Sequence, residues 1–334
     1  MISETLDELD ERHVAPEGVR YSVVVPVYGN EDTLATLLGE LGTLATDVDG
    51  PLEAVFVVDG SPDGSLVVLR RLLSERLPFS AQLIALSRNF GSFSAIRVGL
   101  AAASGEYVAV MAADLQEPVS LVRDFFRALA TGEHDIAVGV RTARADPFTT
   151  VLAARIFWSV FRRLGQPELP RRGVDVFACT RQVAGELIRL RESHSSLVGL
   201  LYWVGFRRIE IPYERRSRAA GKTGWRFRRK LRYFMDSIFS FTDIPILAII
   251  GIGLVGATVS LAVGVAVLVA WLAGSVDVAG YTPIMLAIVF TASSVLVSLG
   301  VIGSYVWRTY ENTKGRPIAI AMTHERFAAD APSE

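Results

Sequence analysis

Between residue 21 and about residue 140 the chain alternates short apolar runs with longer segments whose apolar positions recur at helical spacing. Ser22–Tyr28, Ala54–Asp59, Gln82–Leu86, Tyr107–Ala113 and Ile136–Val140 read as strands, because strands buried on both faces of a parallel sheet are near-continuous runs of Val, Ile, Leu and Ala. Glu31–Thr46, Ser65–Leu77, Ser92–Ser104 and Pro118–Ala130 read as the intervening helices. That rhythm predicts βαβ units and an α/β domain with a mostly parallel sheet. Crossovers of one hand bring successive strand ends to one rim, here Tyr28, Asp59 and Asp114. Further on, 148–164 reads as a helix with a Phe/Trp-rich face and 165–173 as a loop. Val174–Cys179 reads as a short strand with a helix from Arg181, and Phe206–Tyr213 as a last strand.

A second pattern follows. From Ile244 to Trp307 the only charged side chain is Asp277. The runs Ile246–Ala273 and Pro283–Trp307 both exceed the roughly 20 apolar residues that cross a bilayer, so they predict a two-helix transmembrane hairpin. Ahead of them, Trp225–Thr242 interleaves Arg and Lys with Phe, Tyr and Leu, the composition of an amphipathic helix lying in the membrane interface. Nine basic residues and no acidic one lie between Arg215 and Arg232, and Arg308, Lys314 and Arg316 follow the second run, whereas the connector Gly274–Thr282 has no Lys or Arg. Positive charge stays on the cytoplasmic side, so both termini are expected in the cytoplasm of a multi-pass inner-membrane protein. The expected organisation is a polar tail (1–20), a catalytic domain (21–224), the interfacial helix (225–243), the two spans (244–308) and a cytoplasmic tail (309–334).

Composition narrows the function. The 334 residues carry a formal net charge of −1, and the basic stretch is accounted for by the adjacent spans, so nucleic acid is not an expected partner. Residues 1–20 are polar and acidic with no apolar core of a signal peptide. The single Cys179 forms no internal disulfide, consistent with a reducing cytosol, and no Cys/His cluster suggests zinc. A channel or transporter would need intramembrane charge that the runs lack.

The stretch Tyr107 to Pro118 ends an apolar strand on Asp114 and Gln116. Ligands of open α/β sheets bind outside the carboxyl ends of strands, and a hard divalent cation bridges one or two carboxylates to substrate phosphates. Two residues apart in an extended chain, the two side chains would face one side; the alternative is a plain capped turn. Asp59 begins a Gly/Pro/Asp turn to Ser65, where it would accept hydrogen bonds from a base or ribose or serve as an ordinary turn residue. Arg141 with Arg144, and Arg215 with Arg218, share an i, i+3 spacing after predicted strands; arginine grips phosphate bidentately, or is simply solvated. Asp175 sits between Val174 and Val176, as a structural group or a base.

In order, Val23-Val-Val-Pro26-Val-Tyr28, Val58-Asp59-Gly-Ser-Pro-Asp-Gly-Ser65, Ser87-Arg-Asn89-Phe-Gly91, Ala113-Asp114-Leu-Gln116-Glu-Pro118, Val138-Gly-Val-Arg141, Asp175-Val-Phe177 and Arg215-x-x-Arg218-x-x-Gly221-x-Thr223 resemble the family 2 glycosyltransferases of GT-A fold. With the two spans, the chain is similar to the polyprenyl-phosphate branch, which includes dolichol-phosphate mannose synthase and bacterial undecaprenyl-phosphate sugar transferases. The resemblance covers roughly residues 20–310. It implies an inverting transfer of one sugar from a UDP- or GDP-sugar to polyprenyl phosphate at the bilayer, with Mg²⁺ or Mn²⁺. Pro26, Tyr28 and Asp59 would hold the nucleotide, and Asp114 and Gln116 the metal on the donor diphosphate. Arg141, Arg144, Arg215 and Arg218 would hold the lipid phosphate, and Asp175 would be a base or orienting group near the acceptor. Where the family carries Asp-Asp, Asp-x-Asp and Asn-Glu, this chain has Val58-Asp59, Ala112-Ala113-Asp114 and Gly29-Asn30. The competing reading is a catalytically degenerate GT-A protein acting as a membrane scaffold or partner subunit. Gly256, Ser260 and Gly264 permit close helix packing, within the hairpin or in a homo-oligomer.

Overall fold

The computed structural model describes residues 18–141, 176–190, 197–216, 244–273 and 281–330. Eight strands form one sheet: β1 (Tyr21–Val27), β2 (Leu52–Val58), β3 (Ser80–Leu86), β4 (Tyr107–Val110), β5 (Ile136–Arg141), β6 (Phe177–Thr180), β7 (Arg208–Tyr213) and β8 (Ala321–Phe327). Their spatial order is β7-β5-β6-β4-β1-β2-β3-β8.

The apolar runs form central strands because both sheet faces are covered. Val23, Val25 and Val27 of β1, with Ala54, Phe56 and Val58 of β2, join one core; Val24, Val55 and Val57 join the other. Helices α1 (Leu34–Asp47), α2 (Ser65–Leu73) and α4 (Val119–Ala130) close the first face through Leu37, Leu41, Leu69, Phe125 and Phe126. Helices α3 (Ser92–Ala102), α5 (Arg181–Arg189) and α6 (Leu197–Trp203) close the second through Ala95, Val98, Leu187 and Leu200. Helix α3 lies close on β1, and a Cβ at Gly99 would sit 2.2 Å from Val24.

Strand direction decides where the site forms. β1 pairs parallel with β2 and β4, and β2 parallel with β3. β4 and β5 both run antiparallel to β6, so β5 and its parallel partner β7 point the same way as β4. The carboxyl ends of β1, β2, β4, β5 and β7 therefore open on a single rim. β8 is antiparallel to β3 and pairs Ala321 with Leu86, so it begins at that rim.

Two expectations change, and one helix appears that the sequence did not announce. Residues 309–334 are not simply a tail, because β8 covers the edge of β3 and Arg70 grips Glu325 with Nε at 3.1 and 3.0 Å. β4 stops at Val110, not Ala113, since the chain turns and Leu115 adopts φ 57°, which is uncommon outside glycine. Helix α6 forms from an apolar stretch too short to show a period. Helices α7 (Ile244–Leu272) and α8 (Tyr281–Thr313) have 29 and 33 residues and coincide with the two apolar runs. At 1.5 Å per residue, 29 residues make roughly 44 Å of helix, longer than a bilayer core. Among the described residues, Phe290–Thr313 is a stretch long and apolar enough to cross a membrane. The expected helices at 148–164 and 225–243 lie outside the described residues.

Candidate active site at the carboxyl rim

The loops after β1 and β2 are tied to each other. Gly29 N–H donates to Ser61 Oγ at 2.8 Å, Asn30 N–H to Ser65 Oγ at 3.2 Å, and Gly64 N–H to Glu31 Oε2 at 2.7 Å. Thr33 Oγ1 then donates to the Ala113 carbonyl at 2.7 Å, joining this pair of loops to the turn that carries Asp114. Tyr28 stands on the rim with its ring half exposed, just past Pro26 and the end of β1, where a flat base has a surface to stack on.

Asp59 is held by the loop after β3. It is 2% exposed, and its two oxygens accept the backbone N–H groups of Phe90 at 2.7 Å and Gly91 at 2.8 Å. Burial pushes its carboxyl above the usual range, against the opposing effect of those two donors and of Arg88. Gly60 beside it has φ 54°, and a Cβ there would lie 2.4 Å from the backbone of Arg88 and Asn89. Asp59 thus anchors the 88–91 loop, and each of its oxygens keeps a further lone pair toward the rim.

Asp114 is buried in the turn after β4, close enough to Glu117 for the two carboxylates to repel. The left-handed Leu115 redirects the chain between Asp114 and Gln116, so the two do not share a face by strand alternation; the Gln116 N–H lies 3.4 Å from Asp114 Oδ1. Gln116 Oε1 accepts a hydrogen bond from Arg215 Nη2. Glu117 had no expected role. It is 2% exposed, its Oε1 lies 3.6 Å from Arg215 Nε, and its Oε2 has no hydrogen-bond partner among the described residues. Burial and the neighbouring Asp114 carboxylate raise its pKa, while Arg215 and Arg141 pull it down. Glu117 lies inside the quoted motif, but its partner is 98 positions away, so spacing gave no signal of the pair.

Arg141 ends β5 and is buried beside Tyr213, the last residue of β7. Burial raises the Tyr213 phenol, and a hydrogen bond with Arg141 opposes that. The sheet thus gathers Tyr28, Asp114, Gln116, Glu117, Arg141 and Arg215 on one rim. Asp175, Arg144 and Arg218 lie outside the described residues. No three His, Cys, Asp or Glu side chains cluster as a complete metal cage among the described residues. The donors at the turn are the Asp114 carboxylate and the Gln116 amide oxygen, all hard oxygens. That set fits a Mg²⁺-like ion whose remaining positions are filled by phosphate oxygens and water.

Residues 22–185 match the profile described as glycosyl transferase family 2. The uncharacterized glycosyltransferase sll0501 of Synechocystis is 31% identical over 90% of this chain and 94% of its own length. The bactoprenol glucosyl transferase of Shigella phage SfII is 27% identical over 92% of this chain and 99% of its own. Among solved structures, glucosyl-3-phosphoglycerate synthase from Mycobacterium tuberculosis in complex with UDP covers 71% of this chain and 84% of that one at 18% identity, with a TM-score of 0.44.

Proposed function

From the premise that this chain belongs to glycosyltransferase family 2, we propose that it moves one sugar from a nucleotide-sugar donor to a polyprenyl phosphate at a membrane surface. One observation carries the reading. The rim that holds Asp114 and the arginines is also the rim from which the chain departs toward α7, after Arg215, and to which it returns from α8, at the start of β8. A lipid phosphate lying at the bilayer surface would meet that rim. Two further features support a two-helix hairpin with both ends on the catalytic side. Residues such as Leu254, Val255, Leu296 and Val306 are exposed apolar side chains with no protein over them, and the segments flanking the helices belong to one sheet. The bactoprenol glucosyl transferases of similar length point to the same class of acceptor.

The residues divide the work. Tyr28 and Pro26 at the end of β1 face the base, and the Asp59-anchored loop shapes the wall behind it. Asp114, with Gln116, would hold a divalent cation, which when bound supplies positive charge to the departing nucleoside diphosphate. Arg141 and Arg215, with Arg144 and Arg218, would orient the lipid phosphate, which is already anionic near neutral pH because its second pKa is about 6. A phosphate oxygen attacks the anomeric carbon, the bond from that carbon to the diphosphate oxygen breaks, and the configuration inverts. No strong base is needed, so Asp175 would orient rather than deprotonate. UDP-glucose is a fitting first donor, since several relatives are named glucosyl transferases.

The test is to incubate the purified full chain with polyprenyl phosphate, Mg²⁺ or Mn²⁺ and a panel of radiolabelled nucleotide sugars. Label moving into the organic phase with at least one donor is the expected result. None with any donor would favour the scaffold reading.

A further inference from the structure

Residues 213–216 join β7 to the basic stretch before the membrane helices, and they are strapped to the Asp114 turn. Arg216 N–H donates to the Gln116 carbonyl at 2.9 Å, Arg216 Nη1 reaches Glu40 Oε1 of α1 at 3.0 Å, and Arg215 reaches both Gln116 and Glu117. A carboxylate as buried as that of Glu117 is costly unless a cation is paired with it. Among the described residues its ion pair is with Arg215, the more exposed of the two, at 31% against 2%. The buried member fixes the pair and the exposed member presents its remaining N–H groups to the rim. The Arg215 fork has five donors, so contacts with Gln116 and Glu117 leave others for a phosphate.

We propose that Glu117 is a positioning residue for the sugar transfer, holding the Arg215 guanidinium at the acceptor side of the rim so that it meets the lipid phosphate in a fixed orientation. This rests on the function proposed above, because it assigns Arg215 to the acceptor. It also explains why a charged group sits directly behind the Asp114 turn. The metal side and the phosphate side of the rim meet in one turn, through Asp114, Gln116 and Glu117 and the chain at 215–216 that crosses them.

The experiment is a double-mutant cycle in the full-length protein with Glu117→Gln, Arg215→Gln and the pair. Glu117→Gln is expected to raise KM for polyprenyl phosphate about tenfold and to leave KM for the nucleotide sugar within about twofold. In the Arg215→Gln background it should raise the acceptor KM no further, which a merely structural contribution would not produce. The same cycle in Tm, measured without substrates, should also be non-additive. If Glu117→Gln folds poorly, Glu117→Asp, which keeps the charge on a shorter arm, should show the same selective but smaller rise. Additive effects in the cycle, or equal rises in both KM values, would overturn the proposal. So would a higher Mn²⁺ requirement with no coupling to Arg215, because that places Glu117 on the metal. If the wild-type protein transfers no sugar at all, the acceptor reading fails by itself, and the Tm cycle still decides whether Glu117 holds Arg215.

Discussion

Asp59 and Asp114 both follow the carboxyl ends of parallel strands on the same rim, yet they sit in opposite surroundings. Asp59 has its two oxygens committed to the backbone of the 88–91 loop, 2.7 and 2.8 Å away. Asp114 sits in a left-handed turn beside Glu117, whose carboxylate faces Arg215 and Arg141. The first is a hydrogen-bonded corner that fixes a shape. The second is a cluster of charges on a shape already fixed. An aspartate at a strand end is therefore not informative by position alone; its partners decide whether it serves the fold or the chemistry.

The largest expected effect sharpens that contrast. Asp114→Ala should reduce sugar transfer by more than about a hundredfold, in the range seen when charge-stabilising groups are removed from active sites. Its Tm should stay within a few degrees of wild type. Asp59→Ala should do the reverse. It strands two partly buried N–H donors at a cost of roughly 2–4 kcal/mol, on the order of 5–10 °C in Tm. Gly60→Ala should behave like Asp59→Ala, because its Cβ would meet the same backbone at 2.4 Å. Parallel measurement of transfer rate and thermal unfolding checks both. A stability loss for Asp114→Ala as large as that for Asp59→Ala would dissolve the distinction.

Next in size is the acceptor side. Arg215→Lys keeps the charge but loses the planar fork. KM for polyprenyl phosphate should rise about tenfold or more while donor KM stays nearly constant. Recovery of activity on adding anionic lipid would instead make Arg215 a membrane anchor, since such attraction falls with salt and rises with lipid charge.

Much of this was readable in the sequence. The central strands announced themselves as apolar runs because helices cover both faces of the sheet. The rim positions of Tyr28, Asp59 and Asp114 followed from strand polarity. β8 was hidden for the opposite reason. As an edge strand, Met322-Thr-His-Glu-Arg-Phe327 is mostly partly exposed and polar, with no apolar run to mark it. Asp59 had the right residue at the right place, but its partners come from a loop some 30 residues on, and only the close approach at Gly60 brings them together. Glu117 was invisible as a site residue because its meaning depends on Arg215, which the topology of β5, β6 and β7 delivers.

The smallest expected effect lies at the far end of the sheet and separates β8 from the rim by pH. Arg70 holds the Glu325 carboxyl below the usual glutamate range through its hydrogen bonds, whereas burial holds Asp59 above the usual aspartate range. The signs are opposite. A lowered acid binds its proton less well in the folded state, so Glu325 contributes stability above its unfolded value near 4.5 and loses it as pH falls further. A raised acid holds its proton better when folded, so Asp59 favours the folded state at low pH and loses that contribution as pH rises through its folded value. The Arg70 and Glu325 side chains are 45% and 32% exposed, so solvent screens the pair and its worth is about 0.2–1 kcal/mol. Glu325→Gln should therefore lower Tm by at most a few degrees at pH 7, with the difference from wild type shrinking below about pH 4 and at high salt. A deficit that persists unchanged at pH 3.5 would mean that Glu325 holds β8 by packing and not by its charge.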